Sequence, residues 1–473
     1  MNFHKRNFSL SQASVFVLSV SSLMSCGFLN KKSSGEVQPI SETAPEDVMT
    51  NGIEDQSCTQ STALTEAKVW QWDGLTVNQQ TVALNARVDT DKALTSEGVL
   101  GALRDFRFES DCTVSGDDEV DCGKSRITSK GSIVSICRPN GAYSRDSIEG
   151  ITLTSQHFVG RAWKAYDALP SRKSKLTDAV LVILPIETKH YSKGDRKKTL
   201  VSSDNAAFGA PVKANSPGIF MVYPTSIAAF NKSPVHLWEV PFVMTHEYGH
   251  NVFNHHVGTA LAAVSLNIFK TISLDHILPV HSDIPTDSLG LTAKDRSEQA
   301  MGGINEMFAD LFAYFVNGGA PDLLKGVSSL EGTRDPGNAL TKAGTAKKWG
   351  KRQLDIFEGR ASAERSLDNG DPTFTGIHDV AAFLSYPVAK LLNDSLPGAD
   401  ATKKLDTLVR WLDAIAAKLV KTRSPELSLD QLTTLLVETI VAGKTADAKA
   451  FGAACSEFKL LVEGLEKTAA ACK

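Results

Sequence analysis

Apolar residues repeat at two different spacings along this chain of 473 residues, and the spacings divide it into two parts. Between residues 60 and 185, short apolar runs are broken by acidic or glycine-rich turns, as in β-strands. These runs cover residues 67–72, 81–88, 133–137 and 179–185. After about residue 340 the pattern is helical, with amphipathic segments at 405–420 and 427–441 and a last helix over 450–471. The pattern therefore predicts an α+β protein.

Three more helices are predicted between these parts. One covers residues 155–168. The second contains residues 246–250, which read HEYGH between uncharged flanks, and Pro241 suits its first turn. The third runs over 304–315, where apolar residues follow helical spacing directly after two glycines. Because Gly249 costs a helix interior about 1 kcal/mol relative to alanine, we expect close packing at this position.

The HEYGH segment has the spacing of a zinc site. His246 and His250 are four residues apart, so a helix places both imidazoles on one face, one turn apart. Zinc binds neutral imidazole nitrogen, and with three protein ligands it keeps a fourth position for water. Glu247 is then placed to accept a proton from that water, as in a metallopeptidase. The alternative is a buried helix with two hydrogen-bonded histidines.

Two residues compete to be the third ligand. Glu306 and Asp310 lie four apart on the third helix, so Glu306 can complete the metal shell and Asp310 can orient a ligand imidazole. The alternative for this helix is a solvated pair of acids. His256 lies six residues after the second histidine, as in a longer zinc motif, but Phe253 occupies the position that requires glycine there. We therefore favour Glu306, and we expect His255 and His256 to be solvated or capping residues.

These segments resemble the thermolysin-like gluzincin family of zinc metallopeptidases. Residues 303–310 read GINEMFAD and are similar to the N-E-x-x-[SA]-D pattern of its second metal helix. Residues 204–208 (DNAAF) and 219–223 (IFMVY) are similar to its edge strand and the strand that follows. Residues 368–383 resemble its D-N-G, G-I and A-A-Y elements. The resemblance spans residues 150–390, with the motifs in order.

The resemblance implies a zincin-type two-lobed catalytic domain, with a β-rich N-terminal lobe that carries the metal helices and an α-helical C-terminal lobe. The implied zinc ligands are His246, His250 and Glu306. Glu247 would be the general base, and Asp310 would hold a ligand histidine. Asn205 and Ala206 would bind the backbone of an extended peptide substrate. Structural calcium is left open. Acidic clusters such as residues 117–119 are expected to be solvated and not to bind an ion.

Two departures from the family pattern bear on function. A stretch of 55 residues separates His250 from Glu306, and we hypothesise that this insertion gates the cleft. Shortening residues 270–298 is then expected to change peptide cleavage rates. The family's oxyanion-binding histidine is also missing, and His378 is the candidate replacement. The alternative is that His378 is a helix N-terminal residue without a catalytic part, with Tyr223 and Tyr386 as further candidates.

The N-terminus predicts export. Residues 4–6 are basic, and residues 14–23 are apolar but too short to span a membrane as a helix, as in a signal peptide. Residues 23–26 read LMSC and resemble a bacterial lipobox, so Cys26 is the expected lipidation site. The protein would then be anchored in the cell envelope, facing the periplasm or the exterior. The alternative is an ordinary signal peptide that is cleaved nearby.

Cysteine usage agrees with export. Six cysteines remain beyond Cys26, and an even number in an exported chain favours disulfides. We favour Cys112–Cys122 and Cys455–Cys472, which leaves Cys58–Cys137. None lies near the HEYGH segment, so thiolate ligands to a metal are not expected.

The predicted domain order has five parts. They are a signal peptide (1–25), a flexible tether (26–59), a small β-rich disulfide-containing domain (60–150), a metal-binding lobe (151–339) and a helical C-terminal lobe (340–473). A net charge of −4 with dispersed lysine and arginine argues against a nucleic-acid partner. A zinc endopeptidase is the favoured function. The alternatives are a zincin-fold surface lipoprotein that binds without cutting and a zinc peptidoglycan hydrolase.

Overall fold

The structure is a computed structural model that describes part of the chain. The described ranges are 66–83, 94–95, 98–99, 101–115, 119–133, 142–145, 147–173, 180–183, 187–192, 195–201, 206–209, 219–222, 235–258, 260–261, 293–319, 324, 336–337, 377–424, 426–443, 448–462 and 464–472. The predicted signal peptide and tether, the 262–292 part of the insertion and the D-N-G segment lie outside these ranges. Cys26, Cys58, Cys137 and Asn205 lie outside them as well.

A two-stranded hairpin opens the described part. β1 (Glu66–Trp72) and β2 (Val77–Ala83) pair in antiparallel fashion, and β1 matches the predicted strand at 67–72. The Asp73 carboxylate holds the turn by accepting hydrogen bonds from two backbone N–H groups (2.8 and 2.9 Å). β1 packs on the first long helix, and the backbone N–H of Trp70 donates to Thr154 Oγ1 of that helix (3.1 Å).

Seven further strands form a mixed sheet. They are β5 (Gly101–Ser115), β6 (Glu119–Ile133), β7 (Val180–Ile183), β8 (Glu187–Ser192), β9 (Asp195–Val201), β10 (Ala206–Gly209) and β11 (Ile219–Val222), with a short pair β3 (Leu94–Thr95) and β4 (Gly98–Val99) beside them in sequence. The sheet order is β10-β11-β7-β5-β8-β9, and β6 pairs with β5 in antiparallel fashion. β10 is thus an edge strand of this sheet.

β5 joins the strands on both sides of the predicted domain boundary. Its first residues pair in parallel with β7, and its later residues pair in parallel with β8. Strands before and after residue 150 therefore pair in one sheet, and the domain boundary predicted there stays a prediction. Cys112 and Cys122 are direct partners in the β5–β6 register, which places the predicted bridge between opposed positions.

The helices dominate the rest of the described chain. They are α1 (Ile148–Asp167), α2 (Pro241–Phe253), α3 (Ala293–Val316), α4 (Ile377–Ser395), α5 (Ala401–Thr422), α6 (Leu429–Ala442), α7 (Ala448–Leu461) and α8 (Glu466–Ala471). A 3₁₀ turn (Leu237–Glu239) precedes α2, and a π-helical turn (Asn254–Gly258) continues it. α1 begins earlier than predicted because the Ser147 hydroxyl accepts the N–H of Gly150 (3.1 Å) as an N-cap.

The C-terminal segment differs from the single helix predicted over residues 450–471. α7 ends at Leu461 and α8 begins at Glu466 as a separate helix. Gly464 lies between them with a φ of +101°, in the left-handed region that favours glycine. Cys455 and Cys472 form the predicted disulfide between them, with Cα atoms 5.6 Å apart. The Asp430 carboxylate of α6 accepts two backbone N–H groups at the start of α8 (2.9 and 2.8 Å).

In the described ranges the strands lie before residue 223, and the helices other than α1 follow it. The α+β class stays a prediction. The two-lobed zincin arrangement stays a prediction. None of the helices in the described ranges combines the length and the apolar character that crossing a bilayer requires.

Candidate metal centre

The HEYGH segment lies inside α2, a buried helix. Pro241 occupies the start of the helix, where its missing N–H costs nothing. His246 and Glu247 are each 4 % exposed, and His250 is somewhat more accessible. The two imidazole centroids are 4.6 Å apart, so both histidines lie on the same face as the spacing predicts.

α2 and α3 cross as an antiparallel pair at very short range. Asn317, just after the end of α3, donates to Thr245 (2.8 Å) near the start of α2, whereas Asn305 contacts His250 near its end. Between these contacts, a Cβ atom on Gly249 would lie 2.7 Å from the Cα of Ala309, too close for any side chain. The expected close packing at Gly249 is confirmed, and it explains the glycine in this helix.

Glu306 of α3 faces both histidines. Its Oε2 lies 3.4 Å from His246 Nε2, and its Oε1 lies 3.6 Å from His250 Nε2. The ligand atoms that the three residues offer all lie within 4.8 Å of one another. Two atoms that each sit about 2.1 Å from one ion at a tetrahedral angle are about 3.4 Å apart. The two distances from Glu306 to the histidines therefore match those expected around a single tetrahedral ion.

Each histidine is also contacted on its other nitrogen. His246 Nδ1 lies 2.9 Å from Asp310 Oδ1, and His250 Nδ1 lies 3.0 Å from Asn305 Oδ1. The Asn305 oxygen is at hydrogen-bond distance from His250 Nδ1, and the Asp310 carboxylate is at ion-pair distance from His246 Nδ1. An acceptor at Nδ1 favours the tautomer with its proton there, which leaves the Nε2 lone pair free to bind a metal. Ser385 of α4 lies 3.2 Å from the second oxygen of Asp310 and so supports it from a third helix.

The charges of the cluster favour a bound cation. Glu306 is 2 % exposed, and Asp310 is completely buried one turn later on the same helix, with Glu247 buried across from them. Neutral imidazoles cannot balance buried carboxylates, and uncompensated buried charge is costly. Two imidazoles and one carboxylate form a ligand set typical of zinc, whereas calcium and magnesium prefer oxygen ligands throughout. These residues therefore fit a zinc ion.

The remaining predicted residues are only partly described. Ala206 is the first residue of β10, the edge strand, and β10 lies against α2. Asn205, its predicted partner, is outside the described ranges. His378 is the second residue of α4, and the structure describes only its backbone. Its predicted position in the first turn of a helix is correct, and its catalytic role stays a prediction.

The expectation that His256 is solvated or caps a helix is wrong. It is 1 % exposed and lies between Tyr166 and Asp413, hydrogen-bonded to both. The physical reason is the π-helical turn, which carries the chain beyond α2 without a break and turns His256 toward α1 and α5. It is therefore not the third ligand, as the sequence argument expected.

Sequence reasoning missed two residues of this site. Asn305 directly precedes Glu306 in the motif, and this position could have identified it as part of the site. Ser385 lies 75 residues from Asp310 in the chain. Its hydroxyl carries no sequence pattern that connects it to the site.

Comparison with known proteins gives no assignment for this chain. No family model matches it, and neither a curated protein nor a solved structure was found to be similar.

Proposed function

We propose that this chain is a zinc-dependent endopeptidase of the thermolysin-like type. The observation that carries the proposal is the set of ligand atoms of His246, His250 and Glu306, drawn from two helices to within 4.8 Å of one another. The contacts on the outer nitrogens of both histidines add support, because they favour the metal-binding tautomer.

The proposed chemistry is hydrolysis with Glu247 as the general base. A zinc ion held here would polarise the scissile carbonyl and lower the pKa of a bound water. Glu247, the neighbour of His246 on α2, accepts the proton of the attacking water and passes it to the leaving amine. Because Glu247 is almost fully buried, its carboxylate acts in a site that excludes bulk water.

The edge strand β10 supports a peptide as the substrate class. It pairs with β11 through Ala206–Gly209, and it is the terminal strand in the sheet order. An extended peptide can add to such an edge by main-chain hydrogen bonds, which suits peptides better than sugars or simple esters. Ala206 and Asn205 are the proposed binding positions, and His378 is the proposed donor to the oxyanion.

Glu247→Gln tests the proposal directly. The amide keeps the size of the side chain but cannot accept the proton, so cleavage of casein or a peptide library should fall by about 10²–10⁴-fold. Zinc content should stay at the wild-type value, because Glu247 is not a ligand. The matched control is Glu438→Gln on the exposed face of α6, which should cleave like the wild type.

The outcome also separates the alternatives. Cleavage that survives both Glu247→Gln and a chelator would contradict the proposal. Peptide binding without cleavage by the zinc-loaded wild type would favour a binding lipoprotein. Digestion of purified sacculi in place of casein would favour a peptidoglycan hydrolase.

We also propose that Cys26 carries a lipid anchor that attaches the enzyme to the cell envelope. The lipobox-like sequence LMSC supports this placement. Labelled palmitate should be incorporated into the wild type and not into Cys26→Ala. Equal labelling of both proteins would contradict the anchor without bearing on the metal centre.

A further inference from the structure

His256 lies just beyond the C-terminal end of α2, and its side chain is buried. It lies in the π-helical turn Asn254–Gly258, six residues beyond His250. Its Nε2 lies 2.7 Å from the hydroxyl oxygen of Tyr166, and its Nδ1 lies 2.8 Å from Asp413 Oδ1. Both ring nitrogens are therefore hydrogen-bonded inside the protein, and neither points at the metal ligands.

The contacts define one arrangement of protons. Burial alone would raise the pKa of Asp413, but its hydrogen bonds with His256 and Lys173 outweigh burial and hold this pKa below the ordinary value. An ionised carboxylate only accepts hydrogen bonds, so His256 Nδ1 carries the proton. His256 Nε2 then accepts the hydroxyl proton of Tyr166, whose oxygen accepts the backbone N–H of Lys173 (3.3 Å).

This hydrogen-bonded chain joins three distant parts of the sequence. Tyr166 belongs to the last turn of α1, 90 residues before His256, and Asp413 belongs to α5, 157 residues after it. Tyr166 and His256 are both buried. Removing one buried partner leaves the other without this hydrogen bond, which destabilises the folded state. These hydrogen bonds therefore hold the C-terminal end of α2 between α1 and α5.

The opposite end of α2 has a polar anchor of its own. Thr245 accepts a hydrogen bond from Asn317 Nδ2 (2.8 Å), and Arg161 Nη2 donates to Asn317 Oδ1 (3.2 Å). Arg161 is on α1, five residues before Tyr166. The helix α1 thus takes part in contacts at both ends of α2, and the two ligand histidines lie between these ends.

We propose that His256 is a positioning residue for the metal centre. Held by Tyr166 and Asp413, it fixes the rotation of α2 about its axis and so directs the two ligand histidines toward Glu306. A rotation of roughly 10° would move an imidazole nitrogen by about 1 Å, because it lies about 6 Å from the axis. Metal–ligand distances vary by only about 0.2 Å. This inference rests on the proposed zinc site.

The test measures the zinc Kd of the full chain by competition with a chelating dye. His256→Leu removes both hydrogen bonds, and its Kd should rise about tenfold, the lower end of the range for residues that orient a ligand directly. His256→Gln offers a donor and an acceptor and should restore most of the affinity. Tyr166→Phe deletes one hydroxyl and keeps the ring, so it disturbs the packing less than His256→Leu and should also weaken zinc binding.

A distant buried hydroxyl supplies the matched control. Thr468→Val removes hydrogen bonds to Thr433 and Asp430 at the α6–α8 contact and should lower the Tm without changing the zinc Kd. If Tyr166→Phe and His256→Leu lower the Tm like the control but keep the wild-type Kd, the positioning role is overturned. If the wild type itself binds no zinc, the proposed function fails, and this inference fails with it.

Discussion

Two helix pairs in this protein pack by opposite rules. In the α5–α6 pair, the buried residues are mostly apolar. Both helices begin with a standard N-cap: Asp400 accepts the N–H of Lys403 (2.9 Å), and Ser428 shares a capping box with Gln431. The buried indole N–H of Trp411 on α5 donates to the backbone carbonyl of Leu432 on α6 (3.0 Å).

The α2–α3 pair instead buries what a helix interface ordinarily excludes. Its contact holds two histidines, a glutamate and an aspartate, and a glycine sits in the middle of α2 where alanine would favour the helix. The α2–α3 contact thus departs from the local preferences that α5 and α6 follow, and such departures are expected at functional sites. The difference between the two pairs makes the α2–α3 contact the candidate functional site.

The largest expected effect tests the glycine that allows the two helices to approach. Gly249→Ala places a Cβ 2.7 Å from the Cα of Ala309, and overpacking against backbone costs about 1–3 kcal/mol. We expect a lower free energy of unfolding and zinc binding weakened by more than tenfold. Gly452→Ala is the matched control, since a Cβ there meets nothing within 4 Å. It should stabilise α7 by about 1 kcal/mol. Equal effects of both variants would remove the distinction between the two helix pairs.

Asp310→Asn tests the acceptor behind His246. The amide keeps the size but loses the charge that stabilises the metal-binding tautomer, so zinc affinity should fall about 10–100-fold. Isothermal titration with zinc measures this. Asp400→Asn, which keeps the N-cap of α5, should bind zinc like the wild type. An unchanged affinity in Asp310→Asn would mean that the 2.9 Å contact does not orient the ligand.

His157 on α1 should make stability depend on pH in a known direction. Burial, with a smaller contribution from Arg161, lowers the pKa of His157 from 6.5 to about 4. Between these values the unfolded chain binds the proton and the folded chain does not, so stability falls as pH drops from about 6.5 to 4. The loss is at most about 1.4 kcal/mol per pH unit.

The measurement is urea unfolding of the metal-free protein at several pH values. His157→Gln should have a shallower slope than the wild type in this window, while the two should differ little in slope above pH 7. Parallel curves throughout the window would contradict the role of His157.

The smallest expected effect belongs to the regular pair. Ser428→Ala removes the N-cap of α6 and should cost about 1 kcal/mol of stability, measured by urea unfolding. Zinc affinity should be unchanged because the cap is not part of the metal centre. A loss of zinc binding in this variant would show that the two pairs are coupled, which the comparison does not predict.

The parts of this protein that obey local rules were predictable from sequence. The strand near residues 67–72 and the helices near 405–420 and 427–441 follow from apolar spacing, because each element buries one face. Gly249 was also informative: its cost in a helix predicted a close approach before any partner was known. The ligand set His246, His250 and Glu306 came from helical spacing together with motif order.

Long-range partners were not predictable in this way. Nothing in the apolar spacing of residues 101–115 indicates that this strand, β5, pairs with β7 and β8. His256 was misassigned because its partners, Tyr166 and Asp413, come from distant helices. Pairing across the fold depends on tertiary packing, which a single sequence does not encode in a local pattern.

The central claim is that Glu306 joins two histidines in one zinc shell, and metal analysis tests it most directly. Purified wild type dialysed against buffered free zinc should retain one zinc per chain. Glu306→Gln, which keeps the volume but loses the ligand charge, should retain almost none at the same free zinc, while Glu438→Gln should match the wild type. Equal zinc content in Glu306→Gln and wild type, or none in the wild type, would contradict the account.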